Sequence, residues 1–270
     1  MADPFRTRDH VPDFDRHVAA YAERSAQARA RLPLKADIAY GPAPGERLDL
    51  FFPPRGAATG AVHMFVHGGY WRMFAKEDFS FVAETVTAAG AIAAIIDYDL
   101  MPAVRLETVV AQVRRARDWL RDHAAAHGGN PDRLTVSGHS AGAHLCALLM
   151  DLGQPAEALR GALLLSGLYD LARLQSSFLR DLIALRDDEV ARFSPLRLRY
   201  GAGPAVTVLT GEKETPPFHL QAEAFAAHLR RAGTPAEGET IADADHMSIV
   251  ADLGTPGTRM AALLAGMLAG

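Results

Sequence analysis

The chain has 270 residues, 49% apolar and 22% charged, with 28 Lys+Arg against 32 Asp+Glu for a formal net charge of −4. Enough apolar side chains are present to bury a core that offsets chain entropy, which excludes disorder; 23 Gly and 16 Pro exclude a collagen-like or low-complexity chain. One cysteine, Cys146, excludes an internal disulfide and a multi-cysteine zinc site, and mild acidity leaves no basic footprint for nucleic acid.

Met1 to His10 carries charges of both signs and lacks the apolar core of a signal peptide. No stretch reaches the roughly 18 uninterrupted apolar residues of a membrane span. The expectation is a cytoplasmic protein acting on a small-molecule substrate, with no nucleic acid or membrane partner. The oligomeric state is not encoded in any motif, a homodimer being one option.

Residues 1–30, with Tyr21, Arg24 and a run of alanines, read as a polar N-terminal helical arm. Eight strands follow: Ala36 to Tyr40, Arg47 to Phe52, Ala61 to Val66, Ala91 to Asp97, Arg133 to Ser137, Gly161 to Ser166, Ala205 to Thr210 and Glu237 to Ile241. Gly41-Pro42-Ala43-Pro44-Gly45 reads as the turn between the first two, which are antiparallel. From His63 onward strands alternate with helices at Phe79 to Ala89, Leu106 to His127, Ala141 to Leu152, Pro217 to Ala232 and Pro256 to Leu268. Ala91 to Ile96 is apolar without alternation, as a strand covered on both faces must be. The pattern predicts an α/β chain, a mostly parallel sheet flanked by helices, in one domain spanning 1–270. Residues 168–200, rich in charge between two strands, read as a small helical cap or as a solvated excursion.

Gly138-His139-Ser140-Ala141-Gly142 follows a strand and opens a helix, the G-x-S-x-G context of a nucleophile elbow. Ser140 is the candidate nucleophile. A serine hydroxyl needs a base to take its proton, and His246, after the last strand in Asp243-Ala244-Asp245-His246-Met247, is best placed of the 11 histidines. His63, inside a strand, reads as a packed core residue. The acid that orients the base belongs in Gly211-Glu212-Lys213-Glu214-Thr215-Pro216; Glu214, directly before a helix start, is preferred to Glu212, with Asp243 and Asp245 as remaining candidates. His67-Gly68-Gly69-Tyr70-Trp71 follows the strand ending at Val66, so the N–H groups of Gly69, Tyr70 and Ala141 are the candidate oxyanion donors. His67 reads as a hydrogen-bonder that fixes the loop.

These segments, together with Tyr98-Asp99-Leu100-Met101-Pro102, Ser166-Gly167-Leu168-Tyr169-Asp170-Leu171 and the Glu214-Thr215-Pro216-Pro217-Phe218 loop, resemble the kynurenine formamidase (arylformamidase) branch of the α/β-hydrolases over about Tyr40 to His246. In that resemblance Glu214 matches the position of the acid. It implies the α/β-hydrolase fold and hydrolysis of N-formylkynurenine to kynurenine and formate in tryptophan catabolism, through a formyl-serine and with no metal or cofactor. Tyr70, Trp71 and Tyr169, with Phe178, are candidates for an aryl slot, and Arg72, Arg180 and His219 for the partner of the substrate's amino-acid end. A small-acyl carboxylesterase or thioesterase uses the same machinery, and a non-catalytic ligand-binding relative is the reading from another class.

Overall fold

The computed structural model describes residues 2–154 and 159–270. Eight strands form one sheet in the order β1-β2-β4-β3-β5-β6-β7-β8. They are β1 (Leu34–Ala39), β2 (Arg47–Phe51), β3 (Val62–Val66), β4 (Ile92–Ile96), β5 (Leu134–His139), β6 (Gly161–Leu165), β7 (Ala205–Gly211) and β8 (Ala236–Ile241). β1 and β2 form the expected antiparallel pair, β2 runs antiparallel to β4, and every pairing from β4 to β8 is parallel.

Helices cover both faces: α1 (Phe14–Arg31), α2 (Ala83–Ala88), α3 (Leu106–His123), α4 (Ala141–Ala147), α5 (Arg180–Ile183), α6 (Asp187–Phe193), α7 (Pro216–Arg231), α8 (Ser248–Ala251) and α9 (Arg259–Ala269). β3, β4, β5 and β6 are buried along their whole length, which is why their sequences lack alternation. α4 ends before Leu152 because Leu149 and Met150 donate to Cys146 and Ala147, tightening the last turn to i→i+3 bonds. α9 begins two residues past Gly257, where the Thr258 hydroxyl accepts from Ala261 N and caps it. His63 is buried as expected, its ring nitrogens on the hydroxyls of Thr135 and Ser137 at 2.9 and 2.7 Å.

Residues 1–30 are more than a polar arm. Residues 2–13 are irregular apart from one 3-10 turn, and α1 is bound to the body. The Tyr21 hydroxyl donates to Met247 O, Arg24 donates to Ala251 O at 3.0 Å, and Arg29 pairs with buried Asp49 on β2. Residues 168–200 contain α5 and α6 and join the body through Arg105, which pairs with the buried carboxylate of Glu189. No helix among the described residues is long and apolar enough to cross a membrane.

One consequence of the strand order governs the site. The chain leaves β3, visits β4 on one side, and returns to β5 on the other. The loops after β3 and β5 therefore emerge side by side, with Val66 paired to Gly138. The loops after β6, β7 and β8 reach the same end of the sheet in succession.

Candidate active site

Ser140 sits in the turn between β5 and α4 with φ +54° and ψ −116°, a conformation that costs of order 1–3 kcal/mol and persists only where the surroundings impose it. Two constraints impose it. Ser140 N donates to Leu165 O at the end of β6 at 2.8 Å, and the flanking glycines let α4 press against the sheet. A Cβ on Gly142 would lie 2.0 Å from Val66 O, so no side chain fits there. The turn is thereby wedged against the end of β3, and Ala141 N–H heads the following helix without an intrahelical partner.

The loop after β3 lies directly on this turn. A Cβ on Gly68 would stand 2.7 Å from His139 O and 3.2 Å from Ser140 Cβ, so only glycine permits the approach. Gly69 and Tyr70 follow with φ of +104° and +54°. Among the described residues, no protein acceptor takes a hydrogen bond from the backbone N–H of Gly69, Tyr70 or Ala141. His67 fixes the loop as expected: its ring stacks on Tyr98 at 4.4 Å and its Nδ1 donates to Gly68 O at 2.8 Å.

His246 follows β8 and is buried between Phe218 and His139, with ring centroids at 4.6 and 4.7 Å. Its Nδ1 lies 2.7 Å from Glu214 Oε2. The Glu214 side chain is fully buried, and its other oxygen, Oε1, accepts from Gly211 N at 2.8 Å and from the Ser166 hydroxyl. The other three carboxylates weighed from sequence are engaged elsewhere. Glu212 accepts from Asp243 N at 2.8 Å on the surface, Asp243 faces Lys213, and Asp245 caps α8 by accepting from Met247 N and Ser248 N.

Ser140 and His246 line one cavity of about 30 Å3, roofed by Thr7, Phe14 and Tyr70. The Ser140 hydroxyl makes no hydrogen bond to the described residues. His139, beside it, has its imidazole held neutral by burial and by its neighbour His246. Among the described residues no group of three His, Cys, Asp or Glu side chains is placed to hold a metal ion.

Tyr70 is the one aromatic of the three expected in the slot that reaches this cavity, and its hydroxyl is claimed by the N-terminal arm. It donates to Phe5 O at 2.6 Å and shares a 2.8 Å bond with Thr7 Oγ1. Phe178 stands edge-on to it at 5.2 Å. Trp71 and Tyr169 do not line the cavity, which corrects the expectation. Trp71, at φ +60°, is buried with its indole N–H on His144 Nδ1 at 3.2 Å; Tyr169 is buried flat against Phe225 of α7 at 4.2 Å. Neither Arg72, Arg180 nor His219 reaches the cavity: Arg180 is exposed beside Asp181, and His219 lines a separate groove between α7 and β8. Sequence reasoning missed the roof. Thr7 lies in a segment without periodicity and Phe14 opens α1, and only the apolar residues in an otherwise polar stretch hinted at it.

The elbow, the glycine loop and the buried acid–histidine pair at the ends of parallel strands define an α/β-hydrolase, and residues 63–250 match the model of a family described as alpha/beta hydrolase fold. The chain belongs to that family. It is similar to the kynurenine formamidase of Danio rerio, 29% identical over 246 residues that cover 88% of this chain and 83% of that protein. It is also similar to esterase LipQ of Mycobacterium tuberculosis strain H37Rv, 31% identical over 73% of this chain and 53% of that protein. A crystal structure from Silicibacter sp. tm1040 has the same fold, with TM-score 0.86 and 24% identity over the whole of this chain and 98% of that one.

Proposed function

We propose that the protein is a serine hydrolase that deformylates an aryl formamide, converting N-formylkynurenine to kynurenine and formate. What supports this reading above all is the placement of Ser140 and His246 on one small cavity with Glu214 behind the histidine at 2.7 Å. The cavity that Ser140 shares with His246 is small, which suits an acyl group as small as formyl.

In the reaction His246 takes the Ser140 proton as Oγ attacks the formyl carbon, and Glu214 stabilises the imidazolium that results. The oxyanion rests on the N–H groups of Gly69, Tyr70 and Ala141, which have no protein acceptor. The tetrahedral intermediate collapses as His246 delivers its proton to the leaving aromatic amine, and the C–N bond breaks. His246 then deprotonates a water that attacks the formyl-serine, and formate departs as the proton returns to Ser140. The aryl part lies outward of the formyl group, on the side where Thr7 and Phe14 of the N-terminal arm line the cavity, and the arm yields to admit it.

A small-acyl carboxylesterase or thioesterase is the second reading, favoured by the similarity to an esterase. A buried Glu214–His246 pair sharing a cavity with Ser140 argues against a non-catalytic ligand binder. A fluorophosphonate probe decides whether the site is a serine hydrolase. We expect labelling of the native protein and none of Ser140→Ala; an unlabelled native protein would refute the reading.

A further inference from the structure

Ser166 stands at the end of β6, is fully buried, and adopts φ +54°. Its backbone N–H donates to Leu209 O on β7 at 2.8 Å, which fixes the residue against the strand that carries the Glu214 loop. Its hydroxyl donates to Glu214 Oε1, the oxygen that also accepts from Gly211 N at 2.8 Å. Oε2 is thereby left to His246 Nδ1 at 2.7 Å.

The division of labour is geometric. A glutamate carries one more methylene than an aspartate, and its terminal torsion is a broad, roughly two-fold well, so a single anchor leaves the carboxylate free to rock. Two donors converging on Oε1, one from the last residue of β7 and one from the end of the neighbouring strand, fix both the plane and the position of Oε2. Gly211 is the last residue of β7, three positions before Glu214, and its N–H anchors Oε1 to the end of the acid's own strand. Ser166 is the contact that ties the acid to the neighbouring strand, β6.

We propose that Ser166 is a positioning residue of the reaction: its hydroxyl holds the Glu214 carboxylate so that Oε2 orients His246. The inference rests on the serine hydrolase reading above. Ser166 touches no reacting atom, and its contribution passes entirely through Glu214. Removing the hydroxyl lowers kcat and leaves the space around the substrate as it was.

The test is a double-mutant cycle on an activated ester or formyl anilide, with fluorophosphonate labelling of the native protein run in parallel. Ser166→Ala is expected to lower kcat about tenfold with KM within about twofold, and to cost less than about twofold once Glu214 is already Gln. Ser166→Gly, which removes the same hydroxyl and relieves the positive φ, provides a second variant if the alanine protein folds poorly, and it is expected to lose the same factor. A tenfold loss that persists in the Glu214→Gln background, or a glycine variant with native kcat, overturns the role of Ser166 while native labelling leaves the hydrolase reading standing. A native protein that takes no label overturns both.

Discussion

Glu214 Oε2 and His246 Nδ1 meet at 2.7 Å across 32 residues of sequence, one from the loop after β7 and the other from the loop after β8. The pairing of the two strands brings them together: Gly211 is in register with Ile241, so the two loops start level. Glu212, two residues earlier, points to the surface and accepts from Asp243 N. In the proposed mechanism Glu214→Gln removes the charge that stabilises the imidazolium, so it is expected to lower kcat by about 10³-fold, whereas Glu212→Gln stays within about threefold. Steady-state kinetics on one substrate compares them, and equal losses would contradict the assignment of the acid.

Gly68 separates a packing effect from a chemical one. An alanine there would place its Cβ 2.7 Å from His139 O and 3.2 Å from Ser140 Cβ, forcing the loop off the elbow. Displacing the N–H groups of Gly69 and Tyr70 is expected to cost about 10²-fold in kcat, the scale of one lost oxyanion donor. A Gly68→Ala protein with native kcat would mean that these groups are not the donors.

The Tyr70 hydroxyl latches the arm through Phe5 O and Thr7. Tyr70→Phe removes those bonds while keeping the ring, and about 1 kcal/mol of arm closure is expected to go with it. Hydrogen exchange across residues 2–13 reads this directly: protection falls in the variant and not in α3 or α9. Unchanged exchange would show that the arm is held by other contacts, such as the 2.6 Å bond from Thr215 Oγ1 to the neighbouring Pro4 O.

Acid should weaken the fold through buried neutral histidines. Burial pushes the His63 pKa down to about 3 from an ordinary 6.5, so protons bind the unfolded chain more readily than the folded one. The associated stability is complete above pH 6.5 and is lost as the pH falls toward 3. Between pH 8 and pH 5 the loss amounts to about 2 kcal/mol for this one residue. Denaturant melts at the two pH values should therefore differ less for His63→Gln than for the native protein. An identical pH dependence would show that His63 is not a source of it.

Much of this architecture was legible in the sequence, for reasons that particular residues make clear. Ala91 to Ile96 and Gly161 to Leu165 announced themselves because both faces of a central strand are covered, and the elbow glycines did so because only glycine can sit against Val66 O. The place of Glu214 before the Thr215-Pro216 helix start favours it over Glu212, and its Oε2 lies 2.7 Å from His246 Nδ1. Trp71 and Tyr169 were misplaced because residue type carries no direction. Positive φ at Tyr70 and Trp71 turns successive side chains apart, one to the cavity and one to the core, and Tyr169 finds Phe225 on a helix over 50 residues away. The arm over the site was illegible for a different reason: contacts such as Phe5 O to Tyr70 and Asp3 to Phe178 N leave no periodic trace.

Deformylation of an aryl formamide is tested most directly by kcat/KM on N-formylkynurenine beside kcat/KM on a short p-nitrophenyl ester. The cavity at Ser140 and the leaving-group proton from His246 predict that the formyl anilide wins by more than about tenfold, or about 1.4 kcal/mol of transition-state preference. An ester cleaved well beside an untouched formyl anilide would contradict the claim and leave a small-acyl esterase on the same elbow, oxyanion loop and Glu214–His246 pair.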